Sequence, residues 1–133
     1  MATFHLQIVT PDRKVYDAQA ERVILRTVNG DVCILAHHID YVAPLGIGEA
    51  RVVDEDGNVR RAACAGGMLS VANNTVRVIA TTFEWEDEID IERAKFAHEK
   101  AQQRLSELKR DDAKYVVMEA KLKRALNRIQ IKS

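Results

Sequence analysis

The feature that most restricts what this chain can fold into is a change of composition near Phe83. All six glycines, both prolines, all six threonines and twelve of the fourteen valines lie in residues 1–83. Residues 84–133 hold 23 charged positions against 17 before the break, and Ala, Leu, Glu, Lys and Arg dominate there. β-Branched residues punctuated by Gly, Pro and Asn are strand-and-turn chemistry, whereas the second composition favours surface-rich helices. An all-β domain over residues 1–84 is therefore expected, followed by a helical one over 85–133. A chain of 133 residues is long enough for one sizeable core without disulfide or metal staples.

The first region alternates with period two. Phe4, Leu6 and Ile8 point one way and Thr3, His5 and Gln7 the other, which predicts a strand with one buried face. Further short runs follow at residues 21–28, 32–35, 50–53, 59–64, 68–72 and 75–80. Asp56-Gly57-Asn58 and Asn73-Asn74 between them tolerate the positive φ of tight hairpins. Short strands so closely spaced predict a small sandwich or barrel. Gly66-Gly67 reads as a bulge or tight bend.

The second region changes period. From a start near Asp90, the residues Ala94, Ala97, Ala101, Leu105 and Leu108 recur at spacings of three and four, one apolar stripe of a helix. Lys109-Arg110-Asp111-Asp112 interrupts it, and Asp112 suits the N-cap of a second helix with the stripe Tyr115, Met118, Leu122, Ala125 and Ile129. The short connection predicts an antiparallel hairpin. Three alanines in the first stripe make its seam close but weak, since each Leu-to-Ala difference removes roughly 2 kcal/mol of possible burial.

Several functions are disfavoured by what the chain carries. Twenty basic residues balance twenty acidic ones, so a whole-chain electrostatic grip on nucleic acid or an anionic membrane is not expected. Residues 1–10 do not read as a signal peptide, and no run approaches the 18 or so apolar residues of a membrane span. With two cysteines and no disulfide framework, a reducing compartment is the simpler expectation. No phosphate loop or nucleophile elbow is present, so no catalytic residue is assigned and the chain is read as non-catalytic. Cys33, His37, His38 and Cys64 match no zinc spacing, and no metal is assigned to them.

Two charged segments stay open to more than one reading. Residues 84–93 (EWEDEIDIER) hold six carboxylates. Acidic residues at a helix start complement its dipole, Asp90 suits an N-cap, and Ile89 with Ala94 fits a hydrophobic staple; a ligand site is the alternative. After residue 112 the charge reverses, with Lys114, Lys121, Lys123, Arg124, Arg128 and Lys132 against Glu119 alone. This run is a solvated face or, if the helix folds back towards Arg93, a set of donors for polyphosphate. It lacks the stacking aromatics of a single-strand binder.

In order along the chain, four segments resemble the epsilon subunit of F-type rotary ATP synthase. They are Thr10-Pro11-Asp12-Arg13, residues 30–45 (GDVCILAHHIDYVAPL), residues 65–71 (AGGMLSV) and Ile89-Asp90-Ile91-Glu92-Arg93-Ala94, which matches the family's I-D-x-x-R-A. The resemblance covers essentially the whole chain. It implies a β-sandwich of about ten strands that binds the central-stalk gamma subunit, and a helical hairpin that lies folded or extends along the stalk. Extended, the hairpin reaches the catalytic-head subunits and inhibits ATP hydrolysis. Asp31 and His38 occupy the positions implied for rotor-ring contact with the c subunits. No cofactor is required, but ATP is implied as a regulatory ligand of the folded hairpin, at Glu84, Ile89, Asp90, Arg93, Ala94, Lys100, Arg124 and Arg128. Lys100 stands where members that bind ATP have arginine, and it lacks arginine's planar fork. Lys121, Lys123 and Arg124 are expected to form the inhibitory basic face. The implied location is peripheral, on the cytoplasmic face of the cell membrane, without insertion. A free-standing adaptor with a partner-binding hairpin and no nucleotide is the alternative.

Overall fold

The computed structural model describes residues 2–132. Seven strands, β1 (Phe4–Val9), β2 (Lys14–Thr27), β3 (Gly30–Leu35), β4 (Tyr41–Pro44), β5 (Ile47–Asp54), β6 (Val59–Ala72) and β7 (Thr75–Trp85), precede a single 3-10 turn at Glu86–Glu88. Two helices follow, α1 (Ile91–Glu107) and α2 (Ala113–Lys132). The all-β sandwich and the helical hairpin are both present, in the expected order. The strand count is seven rather than about ten because β2, β6 and β7 are long enough to serve two layers each. One layer runs β3, the second half of β2, β5, the first half of β6 and the end of β7. The other runs the first half of β2, β1, the start of β7, the second half of β6 and β4. Each layer thus has five strand segments, so the ten expected segments exist but are joined.

The crossings between layers have local causes. In β2 the register shifts between Ala20 and Arg22. In β6 the chain bends at Gly66 and Gly67, with φ of 71° and 111°. A Cβ on Gly67 would lie 1.9 Å from the Ile79 carbonyl oxygen, so the β6–β7 ladder closes there only around glycine. The runs at 59–64 and 68–72 are therefore one strand, bent at the glycine pair. Ala72 pairs with Thr75 across Asn73 and Asn74, both at positive φ, the two-residue hairpin that the sequence called for. Two elements were not anticipated: the first half of β2, whose run KVYDAQA is largely exposed, and β4, a short strand ending at Pro44.

The core fills the space between the layers. Phe4, Leu6 and Ile8 of β1 meet Val23, Leu25, Ile34, Val52, Leu69, Val76 and Val78 there. Trp85 closes one end of this core, edge-on to Phe83 (5.0 Å) and Tyr16 (6.4 Å), with the Arg60 guanidinium 3.7 Å over its ring. The helices pack against each other, and α2 also packs on β5 and β6.

Candidate functional site

The hairpin starts where the sequence placed it. The Asp90 side chain accepts from the Arg93 backbone N–H at 3.2 Å and caps α1. The Asp112 side chain accepts from the Lys114 N–H at 2.9 Å at the start of α2. Of the expected stripes, Ala94, Ala101 and Ala125 are buried, whereas Leu105, Leu108, Tyr115, Met118 and Leu122 stay half-buried and Ala97 exposed. Ile89 packs with Ala63 of β6 and Ile131 of α2, tying the hairpin's two ends to the sandwich.

The small residues of the seam leave a cleft of about 330 Å³ between the helices. Ala97, Ala101, Met118 and Ala125 form its floor, and Lys100, Arg104, Lys121, Arg124 and Arg128 its rim. No carboxylate lines it among the described residues. Arg128 is compensated by Glu84, but the other four like charges around one space repel, and an anion with several oxygens would relieve that repulsion through charge-assisted hydrogen bonds. The cleft therefore has the chemistry of a polyphosphate site.

The eight residues implied for ATP divide into three groups. Lys100, Arg124 and Arg128 share the cleft. Glu84, on β7, lies outside it but takes a 2.9 Å hydrogen bond from Arg128 Nε. Around the I-D-x-x-R-A motif, Ile89 and Ala94 are buried, Asp90 is the helix cap, and Arg93 is exposed without an ion pair among the described residues. Arg104 and Lys121 complete the rim and are not among the eight. The signal was present in the sequence: Arg104 is four residues after Lys100 and Lys121 three before Arg124, so each shares a helix face with a named cation.

The comparisons with known proteins bear on the whole chain. Residues 3–86 match the family described as ATP synthase, Delta/Epsilon chain, beta-sandwich domain, and residues 87–133 match its long alpha-helix domain. A protein named ATP synthase epsilon chain from Caldicellulosiruptor bescii is 41% identical over 131 residues, covering 98% of this chain and 94% of that one. The ATP synthase epsilon chain of Halalkalibacterium halodurans is 37% identical over 98% of both chains. The chain belongs to the ATP synthase epsilon family. A chain in the cryo-EM structure of the Euglena gracilis mitochondrial ATP synthase has the same fold, with a TM-score of 0.80 and 24% identity over 92% of this chain and 77% of that one.

As an epsilon-family chain, its remaining assigned residues are informative for their separation. Asp31 sits near the start of β3, in an ion pair with Arg26 Nε at 2.5 Å that holds its carboxyl below the usual range. His38 lies beyond the other end of that strand, edge-on to Tyr41 at 5.9 Å. The two are not side by side. The proposed inhibitory trio is also divided, since Lys121 and Arg124 line the inter-helix cleft. Lys123 instead lines a second cleft, between α2 and β5–β6, with Glu49 and Arg61. Cys33 is exposed and Cys64 is buried in the core, both as free thiols. Burial pushes the Cys64 thiol up to about 12. Among the described residues no helix is long and apolar enough to cross a membrane.

Proposed function

We propose that this chain works in the central stalk of an F-type ATP synthase, as a structural and regulatory subunit rather than a catalyst. The sandwich couples proton flow to ATP synthesis by bridging the gamma subunit and the rotor ring, with the ring contact assigned to Asp31 and His38. The assembly holds the chain peripherally at the cytoplasmic face of the membrane. The hairpin inhibits hydrolysis when it leaves the sandwich and lies along the stalk, where Lys121, Lys123 and Arg124 meet acidic surface on the head. ATP opposes this by binding the folded hairpin.

The observation that supports the regulatory reading is the cleft with five cations over an alanine seam. A seam that buries so little apolar area holds the helices together weakly, and its cationic rim weakens it further. A ligand that binds only the folded state adds about RT ln(1 + [L]/Kd), roughly 2.7 kcal/mol at a hundredfold excess over Kd, which is enough to decide a marginal equilibrium. Titration calorimetry of the isolated chain with ATP tests this. A saturable signal is expected, lost in Arg124→Ala with the sandwich intact. No signal up to millimolar ATP removes the nucleotide from the proposal. Hydrolysis by the assembled enzyme then rises when residues 85–133 are deleted; unchanged hydrolysis removes the inhibitory role.

A further inference from the structure

The turn Thr10-Pro11-Asp12-Arg13 is used by neither the cleft nor the core. Pro11 sits where a turn benefits from a preset φ, the Thr10 N–H donates to the Arg13 carbonyl at 2.9 Å, and the Arg13 N–H donates to Thr10 Oγ1 at 3.3 Å. That closed turn aims one side chain away from its own hairpin. Arg13 Nη1 and Nη2 donate to Glu88 Oε2 and Oε1 at 2.9 and 2.8 Å, across 75 residues of sequence. The same Glu88 Oε1 accepts from the Trp85 N–H at 3.0 Å, which fixes the carboxylate within the 3-10 turn.

The contacts of the connecting segment sort into two sets. Towards the helices, Arg128 holds Glu84, Lys132 Nζ donates to the Glu86 carbonyl at 3.1 Å, and Ile131 packs on Ile89. Asn127 Nδ2 adds a 2.9 Å hydrogen bond to the Gly48 carbonyl. Towards the sandwich, Arg60 stacks on Trp85, Arg61 approaches Glu86 at 3.8 Å, and Arg13 holds Glu88. The side-chain bonds of Glu88 all lie on the sandwich side. Immediately after it, Ile89 (φ −71°, ψ 124°) and Asp90 (φ −88°, ψ 103°) are both extended, a two-residue joint between the 3-10 turn and α1. Because Asp90 caps α1 from within, the helix start does not depend on the sandwich.

We propose that Arg13 is a positioning residue for the hairpin: its forked pair with Glu88 keeps the 86–88 turn on the sandwich when the helices leave, so that the chain pivots at Ile89–Asp90. The inference rests on the mobile hairpin proposed above and adds where it moves. A partly exposed ion pair is a weak source of stability, but a planar fork on a carboxylate that also takes a backbone N–H fixes direction. Hinges are commonly a few terminal residues of this kind, between elements that stay intact.

The test uses the full isolated chain with two readouts. A single thiol at Ala63→Cys, with Cys33→Ser and Cys64→Ala, reports undocking through its labelling rate, because residue 63 lies under Ile131. Amide exchange at Trp85 and Ile89 reports the turn. Asn127→Ala and Ile131→Ala, two independent ways to loosen docking, should each speed labelling severalfold and leave both amides nearly unchanged. Arg13→Gln should do the reverse, and Arg13→Lys, which keeps charge without the fork, should fall between. If the amides accelerate together with labelling in the docking variants, the turn moves with the hairpin and the anchor is overturned, while the mobile hairpin stands. If neither docking variant speeds labelling, the mobile hairpin itself fails, and this inference with it.

Discussion

In the sandwich, Phe4, Leu6, Ile8, Leu25, Ile34 and Leu69 are each at most 1% exposed, whereas the helices fully bury small residues, Ala94, Ala101 and Ala125, and one large one, Ile131. Phe96, Val116 and Val117 face solvent although they are apolar. Layers closed on leucine and isoleucine transfer much apolar area. Helices closed on alanine approach closely and transfer little. One region is therefore a scaffold and the other a part that can be shifted by a ligand or partner worth a few kcal/mol.

Equal truncations in the two regions should give unequal losses. Leu6→Ala is expected to cost about 3 kcal/mol, because it empties a fully buried site between two layers. Gly67→Ala should cost at least as much, since the new Cβ meets the Ile79 carbonyl and φ is 111°. Leu105→Ala, half-exposed on α1, should cost under about 1 kcal/mol and spare the sandwich. Denaturant melts of the three variants measure this. Comparable losses at Leu6 and Leu105 would erase the contrast.

Separation is the second way to break the comparison. Residues 1–84 alone are expected to fold cooperatively, because the hydrophobic cluster between the layers draws on residues 4–83 and Trp85 only at its end. Circular dichroism and thermal melting of the fragment decide it, and an unfolded fragment would make the helices part of the scaffold. A smaller effect belongs to the hairpin. Asp112→Ala removes the acceptor for the Lys114 N–H and should cost about 1 kcal/mol of helix stability, seen in the helical signal but not in the sandwich melt.

How far the sequence carries depends on the range of the interaction. The caps at Asp90 and Asp112, the turn at Asn73-Asn74 and the alternation of β1 are set by residues within a few positions, and all were legible. The glycine pair was legible as a bend but not as the point where one strand changes layers, because that depends on how closely Ile79 approaches from β7. The exposed first half of β2 alternates Tyr16, Ala18 and Ala20 with Asp17 and Gln19, but two of the three apolar positions are alanines, a weak signal, and it is a strand because β1 pairs with it. The same limit applies to the site. Helix spacing groups Lys100 with Arg104 and Lys121 with Arg124, but the Arg128–Glu84 and Arg13–Glu88 pairs span 44 and 75 residues and follow only from tertiary packing, the first of the hairpin on the sandwich and the second of the 86–88 turn on the turn after β1. Lys123 left the basic face for a simple angular reason. It is two positions after Lys121 and one before Arg124, and residues one or two apart on a helix do not face the same way, so it turns to the sandwich side while they line the cleft.

The smallest expected effect tests the joint between the two regions. Arg13's hydrogen bonds, the largest cause, hold the Glu88 carboxyl below its ordinary value of 4.5, with help from the Trp85 N–H and the charges of Arg13 and Arg60. Between that lowered value and 4.5 the unfolded chain binds more protons at this position than the folded one, so stability rises with pH across the window. The contribution is fully present above the ordinary carboxylate range and is lost as pH falls through the folded value. Both side chains are partly exposed, so the change in overall stability is small and salt-sensitive, and a site-resolved measurement is needed. Carboxyl-carbon resonances titrated from neutral to strongly acidic pH should place the Glu88 midpoint below that of an ordinary glutamate. In Arg13→Gln it should move back up, while Asp31, held down by Arg26 in a different hairpin, stays where it was. A Glu88 midpoint that is the same with and without Arg13 would mean that the fork is not formed in solution, and the connection between scaffold and hairpin would then rest on Trp85, the Arg61–Glu86 pair and the helix-side contacts.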